Sequence, residues 1–223
     1  MQALLELVAY LITTKSWGIR ASLEDTPETT QLRNEEETRQ PDNPWAHFSD
    51  TDHAGNREIQ NRRRSQNCYI ACHRGMPVYW KSSVSSVAFA CAEIGEAHAD
   101  ISSGAAEIYG SANASMDAMY IRYVAEECNF EFPIPIELQV DNKTAIAYHK
   151  SDVNRTKLKH IDARQEWVKM IRDKQLLRMI KVDTKVNVAD LGTKILDKFT
   201  FQKLRGMLMY DLEYLCSARQ QSN

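Results

Sequence analysis

The sequence predicts an α/β domain built on a mixed β-sheet flanked by helices. Two patterns carry that expectation. Three strand-like segments come early, and the last two are joined as a hairpin, which requires antiparallel pairing. Beyond one long helical segment, strands and helices alternate, which requires parallel strands with helices laid over them. A chain of 223 residues suits one domain with appendages, and its 43% hydrophobic content is enough for a core.

Leu4, Leu5, Val8, Leu11 and Ile12 fall at helical spacing, and Gly18 is a natural stop. Glu6 interrupts this apolar run and no basic segment precedes it, so it reads as a helix rather than a secretion signal. Residues 21–44 are acidic and polar, with three prolines and no period, and read as a linker. Residues 45–50 are the first strand candidate. A turn-rich basic loop with Arg62, Arg63 and Arg64 follows. Residues 68–72 and 78–81 then flank Arg74-Gly75-Met76-Pro77 as a hairpin. Residues 84–91 read as a further short strand and 93–100 as a polar insertion.

The clearest helix spans residues 105–128, where Tyr109, Ala112, Met116, Tyr120, Tyr123 and Val124 recur every three or four positions. Residues 135–141 read as a short buried strand ending on a carboxylate, Asp141. A helix begins at once, with Asn142 as a plausible N-cap. Residues 160–174 form a helix with Ile161, Val168 and Ile171 inward. Residues 177–182 form a strand, and 187–196 and 199–210 form terminal helices.

Charge is uneven beneath a net value of −2. Residues 24–37 hold six acids and one Arg, whereas residues 155–185 hold ten Lys/Arg and four Asp/Glu. The second run suits a polyanion, and it equally suits a solvated helix face. The five cysteines are odd in number and form no CxxC, so a reduced, intracellular protein is the simplest reading. No apolar run approaches transmembrane length, which argues against a membrane partner.

Four acids sit at element boundaries. Asp50 ends the first strand, Glu107 opens the long helix, Asp141 ends the central strand and Asp190 opens a late helix. In open α/β sheets chemistry collects at the carboxyl ends of strands. Two divalent cations about 4 Å apart need several oxygen ligands and shared carboxylates, and Mg2+ prefers such hard donors. Each acid also has a structural reading. Glu107 is placed for a capping box behind Gly104, Asp190 follows Asn187 by three as in a cap, and Asp141 could cap its own helix. Spacing alone leaves both readings open.

A family resemblance bears on that choice. Phe48-Ser49-Asp50-Thr51-Asp52-His53-Ala54-Gly55 resembles the first-strand motif of the ribonuclease H domain of copia-type retrotransposons. Arg63-Arg64-Ser65 with Cys68-Tyr69, and then Pro77-Val78-Tyr79-Trp80-Lys81-Ser82, continue it. Ser102-Ser103-Gly104-Ala105-Ala106-Glu107-Ile108-Tyr109 is similar to the family's Ser-Ser-Thr-Glu-Ala-Glu-Tyr segment. Val140-Asp141-Asn142-Lys143-Thr144-Ala145-Ile146 resembles its third motif. Arg155-Thr156-Lys157 with Lys159-His160-Ile161-Asp162-Ala163-Arg164 resembles its basic segment, and Val188-Ala189-Asp190-Leu191-Gly192-Thr193-Lys194 its last motif. Two departures stand out: Gly104-Ala105 replaces Thr-Glu, and about ten residues, 92–101, are inserted before Glu107.

The resemblance implies a ribonuclease H-like fold, a five-stranded mixed sheet with helices on both faces. It implies two Mg2+, or Mn2+ in their place, held by Asp50, Glu107, Asp141 and Asp190. It implies hydrolysis of the RNA strand of an RNA–DNA hybrid during reverse transcription, with Arg63, Arg64, Arg155, Lys157, Lys159, His160 and Arg164 on the nucleic acid. Residues 1–20 resemble the last helix of a reverse transcriptase part, which would be a partner in the same polyprotein. The implied layout is then a linker over 21–44, the ribonuclease H-like domain over 45–210 and a tail over 211–223. The expected location is intracellular, in a cytoplasmic particle or the nucleus.

Two rival functions fit less of the sequence. A 3′–5′ exonuclease also uses four acids, but normally with Asp-x-Glu in the first strand, where this chain has Asp50-Thr51-Asp52. A catalytically inactive remnant that binds nucleic acid or braces a polymerase would not need all four acids. No Tyr-x-Asp-Asp polymerase motif occurs, so a polyprotein fragment or a decayed copy is expected.

Overall fold

A computed structural model describes residues 2–19, 43–52, 65–85, 99–151 and 162–211. The sheet grows from β2 (Trp45–Asp52), an eight-residue strand buried on both faces. Strand β3 (Gln66–His73) pairs with it antiparallel, and β4 (Met76–Val84) pairs antiparallel with β3. The tight turn between β3 and β4 places Arg74 at φ 50° and Gly75 at φ 78°. Two successive positive φ values match the twist of a hairpin, and Gly75 takes its share without steric cost.

Helix α2 (Ala99–Glu127) then crosses the sheet. It closes with Asn129 at φ 59° and the Phe130 N–H donating to the Ala125 carbonyl at 2.9 Å, a left-handed cap that ends the helix sharply. Strand β5 (Ile136–Val140) returns parallel to β2, and helix α3 (Lys143–Lys150) follows after two residues. Helix α4 (Asp162–Asp173) leads to β6 (Leu177–Lys181), parallel to β5. The strand order is β4-β3-β2-β5-β6, with helices on both faces. This five-stranded mixed arrangement is compatible with a ribonuclease H-like fold.

Two apolar layers hold the sheet. Tyr69, Ile108, Ala112, Met119, Leu138, Val168 and Ile171 pack on the side of α2, α3 and α4. Phe48, Cys68, Ile70, Cys72 and Val182 pack on the other side, against Val186, Val188, Leu204 and Met207. The last two belong to helix α5 (Lys198–Leu208). Cys68 and Cys72 do share one face, as their spacing predicts.

Several boundaries differ from the sequence expectation. Helix α2 begins at Ala99, so Glu107 lies inside it rather than opening it, and Gly104 is no cap. Part of the inserted stretch is therefore helix. Strand β4 carries through Val84, and residues 86–98 lie outside the described residues. In α2, Tyr109 and Ala112 are buried, but Met116, Tyr120, Tyr123 and Val124 are exposed. The sheet side of this helix is instead a row of small residues, including Gly110, Ala114 and Ala118. A Cβ on Gly110 would stand 1.8 Å from the Thr51 Oγ1, so the helix backbone rests almost on β2. Large rings have no room there and turn outward.

The expected helix over 187–196 is only a 3₁₀ turn, Val188–Gly192. Helix α1 (Gln2–Thr13) stops short of Gly18, where the hydroxyls of Thr13 and Thr14 turn back onto the Tyr10 carbonyl at 2.9 and 2.8 Å. Strand β1 (Trp17–Gly18) then pairs antiparallel with β7 (Tyr210–Asp211). Arg205 of α5 lies 3.8 Å over the Trp17 ring and donates to the Tyr10 hydroxyl at 3.2 Å, fixing α1 to the domain. No helix among the described residues is long and apolar enough to cross a membrane.

Candidate metal centre

Register brings the first two acids together. β2 and β5 are parallel, and their last paired residues are Ser49 and Val140. Asp50 and Asp141 follow these directly, so two carboxylates stand side by side. Asp141 lies just past the end of β5, whereas Asp50 does not end its strand as expected, because pairing with β3 carries β2 on through Asp52. Asp141 is not used as a helix cap. The Asn142 Oδ1 takes that role, accepting from the N–H groups of Thr144 at 2.8 Å and Ala145 at 3.1 Å.

Glu107 comes from above. It sits one turn before Gly110, where α2 makes its closest approach to β2. That approach lowers the Glu107 carboxylate onto the strand ends. Asp50, Glu107 and Asp141 each offer an oxygen, and these atoms lie within 4.8 Å of one another.

Asp190 is not one of the three converging acids and is joined to Asp50 through Lys194. The Asn187 side chain caps the 3₁₀ turn by accepting from the Ala189 N–H at 3.3 Å, which leaves the Asp190 carboxylate free of the backbone. The turn is pinned to the sheet: the Ser82 hydroxyl donates to the Gly192 carbonyl at 2.6 Å. A Cβ on Gly192 would stand 2.4 Å from the Cys68 Sγ, so only glycine fits there. Lys194 then links the acids. Its ammonium lies 2.8 Å from the Asp190 Oδ1 and 3.0 Å from the Asp50 Oδ1. The Thr193 hydroxyl also donates to Asp50, and the Thr184 hydroxyl to Asp141 at 3.3 Å.

The electrostatics record the crowding. Burial, and then the charges of Asp50 and Asp141, push Glu107 up to about 8. Burial and the charge of Asp50 also raise Asp141, against the pull of Lys194 and Lys181. Burial raises Asp190 to about 6 despite its hydrogen bond from Lys194. Burial works against the Lys194 ammonium, but Asp190 and Asp50 outweigh it and push its pKa up. A cluster that resists its own ionisation in this way is relieved by a cation.

The donors suit a hard cation. The nearby Cys68 thiol is pushed up to about 12, chiefly by burial and then by Asp50, so it stays protonated and is no thiolate ligand. The acids therefore offer oxygens alone, the set that Mg2+ prefers.

Arg63, Arg64, Arg155, Lys157, Lys159 and His160 lie outside the described residues. Arg164 is described. It is exposed on α4, donates to the Asn113 Oδ1 at 3.0 Å, and stands at a cavity of about 300 Å3 shared with Lys81 and Asp117. None of the four acids lines that cavity. Lys194, Thr193 and Thr184 are the site residues to which the sequence assigned no role. The signal for Lys194 was its position four residues after Asp190. Thr184 gave no signal, because its contact to Asp141 spans 43 positions.

No protein-family profile matches the chain, and no solved structure matches it. The chain is similar to the retrovirus-related Pol polyprotein from transposon TNT 1-94 of Nicotiana tabacum, at 24% identity over 156 residues. Those residues are 70% of this chain and 10% of that polyprotein, so the match covers about a tenth of the relative's length. The similarity is to a part of a retrotransposon Pol polyprotein. The acid triad of this chain could hold a metal ion.

Proposed function

We propose that this chain is the ribonuclease H part of a retrotransposon Pol polyprotein and cuts the RNA strand of RNA–DNA hybrids internally. The observation that carries the reading is the convergence of Asp50, Glu107 and Asp141 at the carboxyl ends of two parallel strands, with Asp190 tied to Asp50 through Lys194. The likeness to a Pol polyprotein supplies the biological setting.

Asp50, Glu107 and Asp141 would hold one divalent cation, and Asp50 with Asp190 a second. Mg2+ fits this oxygen set, and Mn2+ would substitute. When bound, such a pair supplies an activated water and offsets the charge that builds on the leaving 3′ oxygen. The protein's own work is positional. Asp50 would serve both positions and is held by Thr193, while Thr184 orients Asp141. Glu107 closes the centre from the helix side. Arg164 is exposed, and on leaving its bond to Asn113 it would reach hybrid phosphates, where contacts set position and not sequence. RNA would be told from DNA through its 2′-hydroxyls. The exposed Leu5, Val8, Leu11 and Ile12 of α1 offer a face to the polymerase part of the same polyprotein.

A labelled RNA–DNA hybrid with Mg2+ or Mn2+ tests the reading. Internal cuts in the RNA strand are expected, and Asp141→Asn should slow them by ~100-fold or more, since it removes a metal ligand. Stepwise loss from a DNA 3′ end would point to an exonuclease instead. Tight hybrid binding with no cutting, even with a polymerase part supplied, would leave a binding remnant.

A further inference from the structure

The two cation positions of the proposed centre are unequal. Asp50, Glu107 and Asp141 face one another with their oxygens converging. Between Asp50 and Asp190, however, a cation is already built into the chain. The Lys194 ammonium lies 3.0 Å from one carboxylate and 2.8 Å from the other, whose side chains are 1% and 4% exposed.

This lysine is not a surface residue that happens to fall nearby. Its backbone N–H donates to the Asp190 carbonyl at 3.1 Å, so the same turn that presents Asp190 presents Lys194. That turn is fixed by the Ser82 bond to Gly192 and by the close packing of Gly192 on Cys68. The Asp50 carboxylate is held from its other oxygen by Thr193. A buried carboxylate pair without a counter-charge would be costly, and a pinned lysine meets that cost in the absence of metal.

We propose that Lys194 is a tethered competitor for the second divalent cation: a metal bridging Asp50 and Asp190 must displace its ammonium. This rests on the metal-centre reading above and adds to it an order of loading. The Asp50–Glu107–Asp141 position fills first, and the Asp50–Asp190 position fills only at higher metal concentration. Lys194 acts through the carboxylates and is a positioning residue.

Calorimetric titration of the full chain with Mg2+ and Mn2+, paired with melting in EDTA and in Mg2+, tests this without substrate. The wild type should show a tighter and a weaker class of binding. Lys194→Met keeps the stem and removes the charge. It should tighten the weaker class by about tenfold, the scale of a lost charge-assisted contact. It should also melt earlier in EDTA and gain more from Mg2+ than the wild type does. Lys194→Arg, which keeps the charge, should resemble the wild type. A purely structural lysine would instead lower both melting points equally and leave the metal affinities unchanged, and that result overturns the proposal.

A second measurement needs no variant. Amine labelling of the wild type, read by mass spectrometry at Lys194, should rise as Mg2+ reaches the weaker class. Labelling that stays constant while both classes fill would also overturn the proposal. If wild-type binding of Mg2+ is absent, or survives Asp141→Asn unchanged, the metal-centre reading itself fails. If Asp141→Asn abolishes binding but Lys194→Met changes nothing, only the role of Lys194 fails.

Discussion

Trp45 and Asp50 lie five residues apart on β2 and are set in opposite chemistry. At the start, Trp45 stacks into an aromatic group, with ring centroids 4.5 Å from Phe132 and 4.9 Å from His73. His47 joins it and shares a 2.7 Å hydrogen bond with the Tyr69 hydroxyl. At the other end, Asp50 is as buried as this group but is surrounded by like charge, and a lysine and two threonines hold the cluster together. One end gains free energy from each contact it makes. The other withholds free energy that a ligand can release. Apolar packing and buried charge thus share one strand without sharing residues, and the packed end fixes where the charged end points.

If that division holds, the largest loss of stability comes from the aromatic end. Trp45→Ala should cost about 3–5 kcal/mol in denaturant unfolding, the usual penalty for emptying a large buried ring. It should leave the Mg2+-dependent gain in melting temperature unchanged. A reduced gain would mean that the two ends are coupled, and the comparison would break.

The charged end should respond to pH in the opposite sense from an ordinary ion-paired carboxylate. Glu107 titrates at about 8 in the folded chain and near 4.5 when unfolded. Between those values the folded state keeps a proton that the unfolded chain has released. Metal-free stability therefore falls as pH rises through this window and is not regained above it. In Glu107→Gln that fall should shrink by about 1–3 kcal/mol, with Asp141 and Asp190 supplying what slope remains. Equal slopes in wild type and variant, followed by thermal melting from pH 4.5 to 8, would show that Glu107 carries no such strain.

The smallest effect sharpens the boundary between cap and ligand. Asn142→Ala removes the two bonds that start α3 and should cost ~1 kcal/mol. Asp141 then becomes the nearest alternative cap. A fall in Mg2+ affinity alongside the loss of stability would show that Asn142 keeps Asp141 available. Unchanged affinity would show that the strand end alone places it.

Much of this division was legible residue by residue. The run from Ile136 to Val140 followed by Asn142 specified a buried strand, a carboxylate and a cap, because each depends on near neighbours only. The spacing of Val168 and Ile171 likewise specified their inward face. The start of α2 was misread because Gly104, a weak helix former, looked like a boundary. Packing on the sheet carries the helix through it, and Glu107 moved from the helix opening to its interior. The aromatic periodicity of α2 pointed to a buried stripe, yet Tyr120 and Tyr123 are each 56% exposed. Small residues against the strand outcompeted them, since only a close approach satisfies the contact at Gly110.

The sequence by itself determined the succession of the five sheet strands and the main helices between them, the hairpin turn and the four acids as candidates, with Asp141 just past a strand end. These follow from hydrophobic period, backbone preference and side-chain capping, which act over a few residues. Only the tertiary structure decided which acids meet and on what terms. The adjacency of Asp50 and Asp141 depends on parallel register across 91 positions, and the Asp50–Lys194 contact spans 144. Such contacts are selected by how whole elements pack, so no local pattern encodes them. That is why the carboxylates, and the spacing of Lys194 from Asp190, were visible in the chain, while the contact of that lysine with Asp50 was visible only in the fold.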